Sequence, residues 1–231
     1  SNNPFAMQTV GSEIDGGFAQ YCVAIAKESY PINCDWSDIE LASIPISYST
    51  AEGMLCRANI QNEKILITGA SGGVGSAIIQ LAKVRGATVI AQCSSEKASD
   101  LQALGADQTV NRDDDLVKVL GNDSVDVVLD LVGGSSWPQL LDILKPGGKY
   151  VVSGAIAGPI VDLDLRSLYL KDITMYGSTV NDTYVFENVI KYIEEGQIKP
   201  LVSASFPLKD IHKAQKVFMD KKFIGKLVLI P

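Results

Sequence analysis

The sequence has few of the cysteines and histidines from which a structural zinc site or a disulfide framework is built. It contains one histidine and four cysteines in 231 residues. The cysteines are widely spaced and form no Cys-x-x-Cys pair, which is typical of reduced intracellular thiols. The one histidine, His212, stands among lysines in a predicted terminal helix, where a surface position is expected. These features predict a cytoplasmic protein without a structural zinc site.

The sequence also lacks an excess of basic residues and a long apolar run. Its net charge of −7 provides no positive field that would attract nucleic acid or an anionic bilayer. No apolar stretch approaches the ~20 residues that a membrane-spanning helix needs. Residues 1–4 lack the basic and apolar regions of a secretory signal. We therefore predict a small-molecule substrate as partner, with no nucleic acid and no membrane.

Short β-branched segments alternate with helical patterns between about residues 63 and 193. This alternation is typical of a parallel sheet that is covered by helices on both faces. It predicts an α/β fold with a doubly wound, six-stranded sheet of the Rossmann type. The predicted strands are residues 64–68, 88–93, 108–110, 126–131, 149–153 and 174–176, and the predicted helices are residues 74–85, 96–104, 115–120 and 135–144.

The segments on either side of this sheet have a different character and are too short to form domains alone. We expect them to pack together as parts of a second, split β domain. They are predicted to contain a strand over residues 16–23, a short helix from about Ser37, a helix opened by a Ser49–Glu52 capping box, strands over residues 201–206 and 226–230, and a helix over residues 209–221.

A glycine-rich loop follows the first predicted strand directly. Ala70, Gly72 and Gly75 occupy the three small positions of the dinucleotide-binding pattern. These positions allow a tight turn, close approach of a diphosphate, and close contact between helix and strand. The next helix offers free backbone N–H groups and the positive end of its dipole. The context predicts dinucleotide binding by Ala70, Ser71, Gly72, Gly73, Val74 and Gly75.

The second strand is not followed by the carboxylate that an NAD-specific site needs. Such a carboxylate accepts from the ribose 2′-hydroxyl and repels a 2′-phosphate. Here Ser94, Ser95 and Lys97 follow the second strand, and Arg112 follows the third. Charge-assisted hydrogen bonds from two cations, at roughly 1.5–3 kcal/mol each, would favour a 2′-phosphate. The sequence predicts NADPH, and the alternative that both cations are solvated surface charges stays open because Glu96 adjoins Lys97.

Five motifs are spread over nearly the whole chain: Gly16-Gly17-Phe18-Ala19-Gln20-Tyr21, residues 67–75, Leu104-Gly105-Ala106-Asp107, Leu144-Lys145-Pro146-Gly147-Gly148 and Gly225-Lys226-Leu227-Val228-Leu229. Together they resemble the medium-chain dehydrogenase/reductase family, in its quinone-reductase-like and zinc-type alcohol dehydrogenase branches. The resemblance implies hydride transfer between a nicotinamide cofactor and a carbonyl, quinone or activated alkene. It also implies a homodimer that pairs the last Rossmann strand near residues 172–178. By resemblance, residues 1–56 end a GroES-like substrate domain, residues 57–197 form the Rossmann domain, and residues 198–231 return to the substrate domain.

The resemblance also bears on zinc. Zinc-type relatives place a cysteine ligand at the position of Ile46, and isoleucine cannot bind a metal. By resemblance, the front of the GroES-like domain, with the first two zinc ligands, is not among these residues. We predict a zinc-independent reductase with no metal ligand in this chain. Two alternatives stay open, namely a dinucleotide-binding module without turnover and a zinc alcohol dehydrogenase whose ligands lie outside this sequence.

The nicotinamide is expected outside the carboxyl ends of the first, fourth and fifth strands. Tyr48 and Thr50 are the predicted proton donors or substrate contacts, and a packing tyrosine and a capping threonine are the alternative roles. Asp130 ends the fourth strand, where it could hydrogen-bond the adjacent loop or serve the strand end alone. The residues expected to line the nicotinamide end of the cleft are Val132, Ser153, Gly154 and Ala155.

Overall fold

The computed structural model describes residues 9–231. The predicted absence of a secretory signal at residues 1–4 therefore lies outside the described residues. The strands are β1 (Lys64–Ile67), β2 (Thr88–Cys93), β3 (Gln108–Asn111), β4 (Val125–Asp130), β5 (Leu144–Val152), β6 (Thr174–Gly177), β7 (Val202–Pro207) and β8 (Lys226–Ile230). The helices are α1 (Asp38–Ala42), α2 (Pro45–Arg57), α3 (Gly73–Val84), α4 (Ala98–Leu104), α5 (Leu116–Leu120), α6 (Trp137–Asp142), α7 (Leu165–Tyr169), α8 (Thr183–Glu194) and α9 (Ile211–Asp220).

The first six strands form one sheet in the order β3-β2-β1-β4-β5-β6. Every neighbouring pair is parallel. The predicted doubly wound Rossmann sheet is confirmed, with strand ends within two residues of the prediction except at β5. That strand begins at Leu144, because Leu144 pairs with Val125 before the register shifts and Lys149 continues the pairing. The chain reverses its winding direction between β1 and β4.

The sheet has a hydrophobic cluster on each face because successive side chains of a strand point to opposite sides. Ile65 and Ile67 of β1 join the cluster beneath α2, α3 and α8. Leu66, between them, joins the cluster beneath α5 and α6. All three side chains are fully buried. A β1 strand buried on both faces holds the loop that follows it at a fixed place in the middle of the sheet.

The flank before the sheet departs from the prediction in two places. The strand predicted over residues 16–23 is wrong: these residues form bends and coil, and Tyr21 and Val23 are each 91% exposed. A strand needs a neighbour, and within residues 9–231 no strand pairs with this segment. The Ser49–Glu52 capping box is also wrong. Helix α2 begins four residues earlier, at Pro45, whose fixed φ suits the first helical position.

Other features of the flanks follow the prediction. Ser37 caps α1 through a capping box in which its hydroxyl accepts from the Glu40 N–H and Glu40 accepts from the Ser37 N–H. At the other end of the chain, β7 and β8 form a parallel pair with α9 between them, and α1 contacts both strands. The two flanks thus lie against each other. Among residues 9–231, no helix is both long and apolar enough to cross a bilayer.

Candidate functional site

The glycine-rich loop joins β1 to α3 at the reversal point of the sheet. Gly69 adopts a positive φ of 60°, which permits the turn out of the strand. A Cβ at position 75 would lie 2.6 Å from both the Ala70 Cα and the Gly69 carbonyl oxygen, so only glycine fits. Ala70 and Gly75 are buried, whereas Ser71, Gly72, Gly73 and Val74 keep partial or full exposure. The loop therefore presents an accessible backbone surface over a tightly packed base.

The start of α3 carries a positive environment. Gly72 is the N-cap, and the N–H groups of the first turn have no carbonyl one turn earlier to bond. A Cβ at Gly73 would lie 2.8 Å from the Lys226 Cδ and 3.6 Å from its Nζ, so the ammonium adjoins the helix start. Burial lowers the pKa of Lys226, and its ammonium has no hydrogen-bond or ion-pair partner among residues 9–231. An anion at this position would be stabilised by both the helix N-terminus and the Lys226 ammonium.

Lys226 is a candidate site residue that the sequence reasoning missed. It comes from β8, more than 150 residues after Gly73 along the chain. Its motif Gly225-Lys226-Leu227 was part of the resemblance, but nothing in the local pattern connects it with the loop. Ser47 of α2 is a second missed neighbour, since its Oγ would lie 2.7 Å from a Cβ at Gly73.

The polar residues after β2 and β3 lie together. Asn111 donates to the Ser95 Oγ at 2.5 Å, and the Arg112 N–H donates to the Cys93 carbonyl at 2.9 Å. The Lys97 Nζ donates to the carbonyls of Lys221 and Phe223, which brings the chain before β8 to this position. Burial lowers the pKa of Lys97, and the nearby Arg112 charge lowers it further, against opposing effects of Cys93 and Glu96.

Arg112 itself is mostly exposed, and its guanidinium lies 3.7 Å from the Asp113 carboxylate. Surface pairs of this kind contribute little to stability. Lys97 and Arg112 thus carry like charges on two neighbouring loops, beside the hydroxyl of Ser95.

The loops after β4 and β5 lie beside the glycine-rich loop at the reversal point of the sheet, where doubly wound folds open into a crevice. A Cβ at Gly69 would lie 3.0 Å from the Val132 Cγ2, so Val132 packs against the glycine-rich loop. The Ser153 N–H donates to the Asp130 carbonyl at 3.1 Å, and its hydroxyl donates to the Ser178 carbonyl at 2.7 Å. A Cβ at Gly154 would lie 2.8 Å from the Leu131 carbonyl oxygen. The predicted lining residues thus belong to two loops in mutual contact, with Ala155 exposed at the edge.

A buried hydrogen-bond chain lies under this crevice. The Asp130 carboxylate accepts from the Thr68 hydroxyl and from the Tyr150 hydroxyl, each at 2.6 Å. It also accepts from the N–H groups of Val132 at 2.9 Å and Gly133 at 3.2 Å. Burial and the Asp130 charge raise the pKa of Tyr150, whose oxygen accepts from the Trp137 indole N–H at 2.8 Å. The predicted hydrogen bond from Asp130 to its adjacent loop is present.

The two predicted catalytic side chains make contacts within the protein. The Tyr48 hydroxyl donates to the Lys199 carbonyl and accepts from the Gln80 amide, both at 2.8 Å, and burial raises its pKa. The Thr50 hydroxyl donates to the Ile46 carbonyl one turn earlier in α2. Tyr48 therefore joins α2 to the middle of α3. Among residues 9–231, neither side chain hydrogen-bonds a residue of the loops after β4 and β5.

Metal-ligating side chains are not clustered in the described part of the chain. Among residues 9–231, no three His, Cys, Asp or Glu side chains are grouped so that they could hold a metal ion. Ile46 is 67% exposed in the first turn of α2. His212 lies on the surface of α9, as predicted.

Comparison with known proteins identifies the family. The zinc-binding dehydrogenase family matches residues 73–195, which is more than half of the chain and runs from the start of α3 to the end of α8. The chain belongs to the medium-chain dehydrogenase/reductase family. The predicted family is therefore confirmed.

Two curated members of the family illustrate its range. An acryloyl-coenzyme A reductase of Metallosphaera sedula is 30% identical over 94% of this chain and 66% of its own length. A quinone oxidoreductase of Rattus norvegicus is 26% identical over 95% of this chain and 70% of its own length. Both are oxidoreductases, and this chain spans about two thirds of the length of each.

Solved structures of the family share the fold of this chain. A Sinorhizobium meliloti protein classed with the alcohol dehydrogenases has a TM-score of 0.92 and 44% identity, over 97% of this chain and 64% of that chain. A 2-octenoyl-CoA carboxylase reductase, solved with NADP and 2-octenoyl-CoA, has a TM-score of 0.87 and 28% identity. That match covers 96% of this chain and 56% of the other.

Proposed function

We propose that this chain carries the NADPH-binding domain of an oxidoreductase that transfers hydride between the nicotinamide and a carbonyl, quinone or activated alkene. The observation that carries the cofactor assignment is the pair of cations Lys97 and Arg112, which adjoin Ser94 and Ser95 at the end of β2. Membership of an oxidoreductase family supports the reaction class.

The diphosphate of the cofactor fits the accessible loop at residues 71–74. Free N–H groups at the start of α3 and the Lys226 ammonium supply donors and positive charge there. Gly73 keeps the space open, because a Cβ would meet the Lys226 and Ser47 side chains. We assign Ala70 and Gly75 to the buried base of this site and Ser71, Gly72, Gly73 and Val74 to its surface.

We assign the 2′-phosphate to the edge of the sheet where Lys97 and Arg112 lie on neighbouring loops. Two of the three Lys97 donors bond carbonyls of the segment before β8, which leaves one donor for a phosphate oxygen. A dianion between the two cations would also remove their mutual repulsion. Hydroxyls of Ser94 and Ser95 add donors at the same edge. The NADP-bound reductase among the structural neighbours is in keeping with this assignment.

The bound nicotinamide supplies or accepts the hydride, and the protein holds it against the substrate. Val132, Ser153, Gly154 and Ala155 would form the wall at this end, where Gly154 leaves no side chain over the Leu131 carbonyl. A wall of backbone atoms and small side chains is suited to orienting the nicotinamide and excluding water, and not to acid–base chemistry. The proton-donor roles of Tyr48 and Thr50 stay predictions that substitution can test.

We propose a mechanism without zinc, since Ile46 stands where zinc-type relatives place a cysteine. The relatives support the proposed substrate class, since they are named as an acryloyl-coenzyme A reductase and a quinone oxidoreductase. A conjugated thioester or a quinone is already electron-poor, so hydride transfer to it does not require a metal to polarise a carbonyl. We also propose that residues 1–56 and 198–231 belong to the substrate domain and that residues 57–197 form the Rossmann domain. We further propose a cytoplasmic location, because all four cysteines are free.

We propose a homodimer through β6. This strand is the edge of the six-stranded sheet, and exposed apolar side chains adjoin it in the preceding segment. An exposed edge strand offers unpaired N–H and C=O groups to a second copy. Sedimentation of wild type and of Met175→Pro tests the pairing, because the Met175 N–H points away from β5 and proline removes that donor from the free edge. A monomeric wild type would contradict it. The exposed side chains are Ile156, Ile160, Leu163, Leu165, Tyr169 and Leu170.

Steady-state oxidation of NADPH, with a panel of quinones, enals and enoyl thioesters, tests the enzymatic proposal. Turnover above the rate without protein is expected with at least one class. Tight NADPH binding without turnover on any acceptor would favour the non-catalytic module. Zinc-dependent turnover, lost on chelation and restored by zinc, would favour a zinc alcohol dehydrogenase.

A further inference from the structure

The reversal point of the sheet is bridged by side chains as well as by backbone. Thr68 follows β1 and Asp130 ends β4, so their 2.6 Å hydrogen bond crosses the point where a doubly wound sheet opens into a crevice. Tyr150 of β5 bonds the other carboxylate oxygen, and Trp137 of α6 bonds the Tyr150 oxygen. One carboxylate thus joins three strand ends beneath the crevice.

The same carboxylate holds the loop on the far side of the crevice. It accepts from the N–H groups of Val132 and Gly133, while the Leu131 N–H donates to the Thr68 Oγ1 at 2.9 Å. Val132 in turn packs against Gly69 of the glycine-rich loop. One buried group therefore holds both walls, since a shift of the Asp130 carboxylate would move each of them.

We propose that Asp130, with Thr68 and Tyr150, is a positioning group that holds the two walls of the crevice at the separation a whole dinucleotide requires. The proposal rests on the proposed function and adds to it the residues that align the two halves of the site. None of the three side chains needs to touch the cofactor. Their effect is expected on ligands that span both walls and not on ligands that bind one wall alone.

A matched carboxylate at the opposite end of the same strand provides the control. Asp126 of β4 accepts from the Lys64 N–H of β1 at 2.8 Å and from the Lys145 Nζ of β5 at 2.7 Å. It joins the same three strands, but at their amino ends, far from the crevice. Asp126→Asn should therefore disturb contacts among the same three strands without an effect on ligand binding.

Two ligands distinguish a positioning role of these side chains from a general effect on the stability of the fold. NADPH spans both walls, whereas adenosine 2′,5′-bisphosphate reaches the ends of β1 and β2 but not the loops after β4 and β5. For Thr68→Val and Tyr150→Phe, we expect the Kd of NADPH to rise about tenfold and the Kd of the bisphosphate to stay within about twofold. Thr68→Ser keeps the hydroxyl and should bind NADPH as wild type does. Each titration is carried out well below the Tm of the variant concerned.

The outcomes are distinct. A selective loss of NADPH affinity in Thr68→Val and Tyr150→Phe, with Thr68→Ser and Asp126→Asn unchanged, supports the positioning role. Equal losses for both ligands, or no loss for either, overturn it, as does an equal effect of Asp126→Asn. Wild type that binds neither ligand overturns the proposed function itself. If Thr68→Val does not fold, Tyr150→Phe decides on the same criteria.

Discussion

The tightest contact in the candidate site gives a direct test of the loop packing. In Gly75→Ala, the new Cβ would lie 2.6 Å from the Ala70 Cα and the Gly69 oxygen, both of which are backbone atoms that cannot rotate away. Separation to ordinary van der Waals contact requires roughly 0.8 Å of movement between α3 and the loop. Overpacking of this kind costs about 1–3 kcal/mol. In a chain of this size, that cost corresponds to a Tm lowered by roughly 3–10 °C.

The displaced helix start should also weaken binding. We expect Gly75→Ala to raise the Kd of NADPH at least tenfold, measured by calorimetry below the Tm of the variant, because the N–H groups of α3 are moved from the diphosphate. Gly17→Ala is the control, since Gly17 is exposed and a Cβ there meets nothing within 4 Å. It should leave both Tm and Kd nearly unchanged. A Gly75→Ala protein with wild-type Tm and Kd would refute the reasoning about the loop.

Three further predictions concern other side chains. Lys226→Met should raise the Kd of NADPH and of NADH by a similar factor of about ten, because the diphosphate is common to both. A loss confined to one dinucleotide in calorimetry would contradict this. Tyr48→Phe should lower the free energy of unfolding by about 1–2 kcal/mol in urea titrations, because the Gln80 and Lys199 contacts lose a partner. A fall in kcat beyond the folded fraction would give Tyr48 the catalytic role predicted from the sequence, and unchanged stability would contradict the packing role. Cys56 should be alkylated by iodoacetamide at pH 8 at least tenfold more slowly than exposed Cys22, because burial, and then the Glu52 charge, raise the pKa of Cys56 to about 11. Equal rates by mass spectrometry would contradict the buried environment of that thiol.

The Rossmann sheet was predictable because each strand and helix carries its own local signal. Residues 65–67 are an apolar run that leads through Thr68 into small residues, and this pattern locates both the central strand and the loop. The strand predicted over residues 16–23 had the right composition, but a strand exists only beside a partner, and no local pattern supplies one. The predicted start of α2 was wrong because the sequence offers two possible helix starts, the capping-box pattern at Ser49 and the proline at position 45. The helix begins at Pro45.

Long-range contacts explain what the sequence did not reveal about the site. Lys226 reaches Gly73 only because β8 returns beside α3. The carbonyls that hold Lys97 come from residues 221 and 223, again through the return of the chain. Asp130 was recognisable as a strand end, but its links to Thr68 and Tyr150 depend on the strand order β1-β4-β5. Residue type and spacing predict which groups are available, and the topology decides which of them meet.

The central claim is that the chain prefers NADPH through Lys97 and Arg112. Calorimetric titration with NADPH and with NADH, at one fixed ionic strength, tests it most directly. We expect NADPH to bind at least tenfold more tightly, and the double substitution Lys97→Ala and Arg112→Ala to abolish the difference while NADH binding is kept. Equal affinities for the two dinucleotides in wild type, or a preference that survives the double substitution, would contradict the assignment of the 2′-phosphate site.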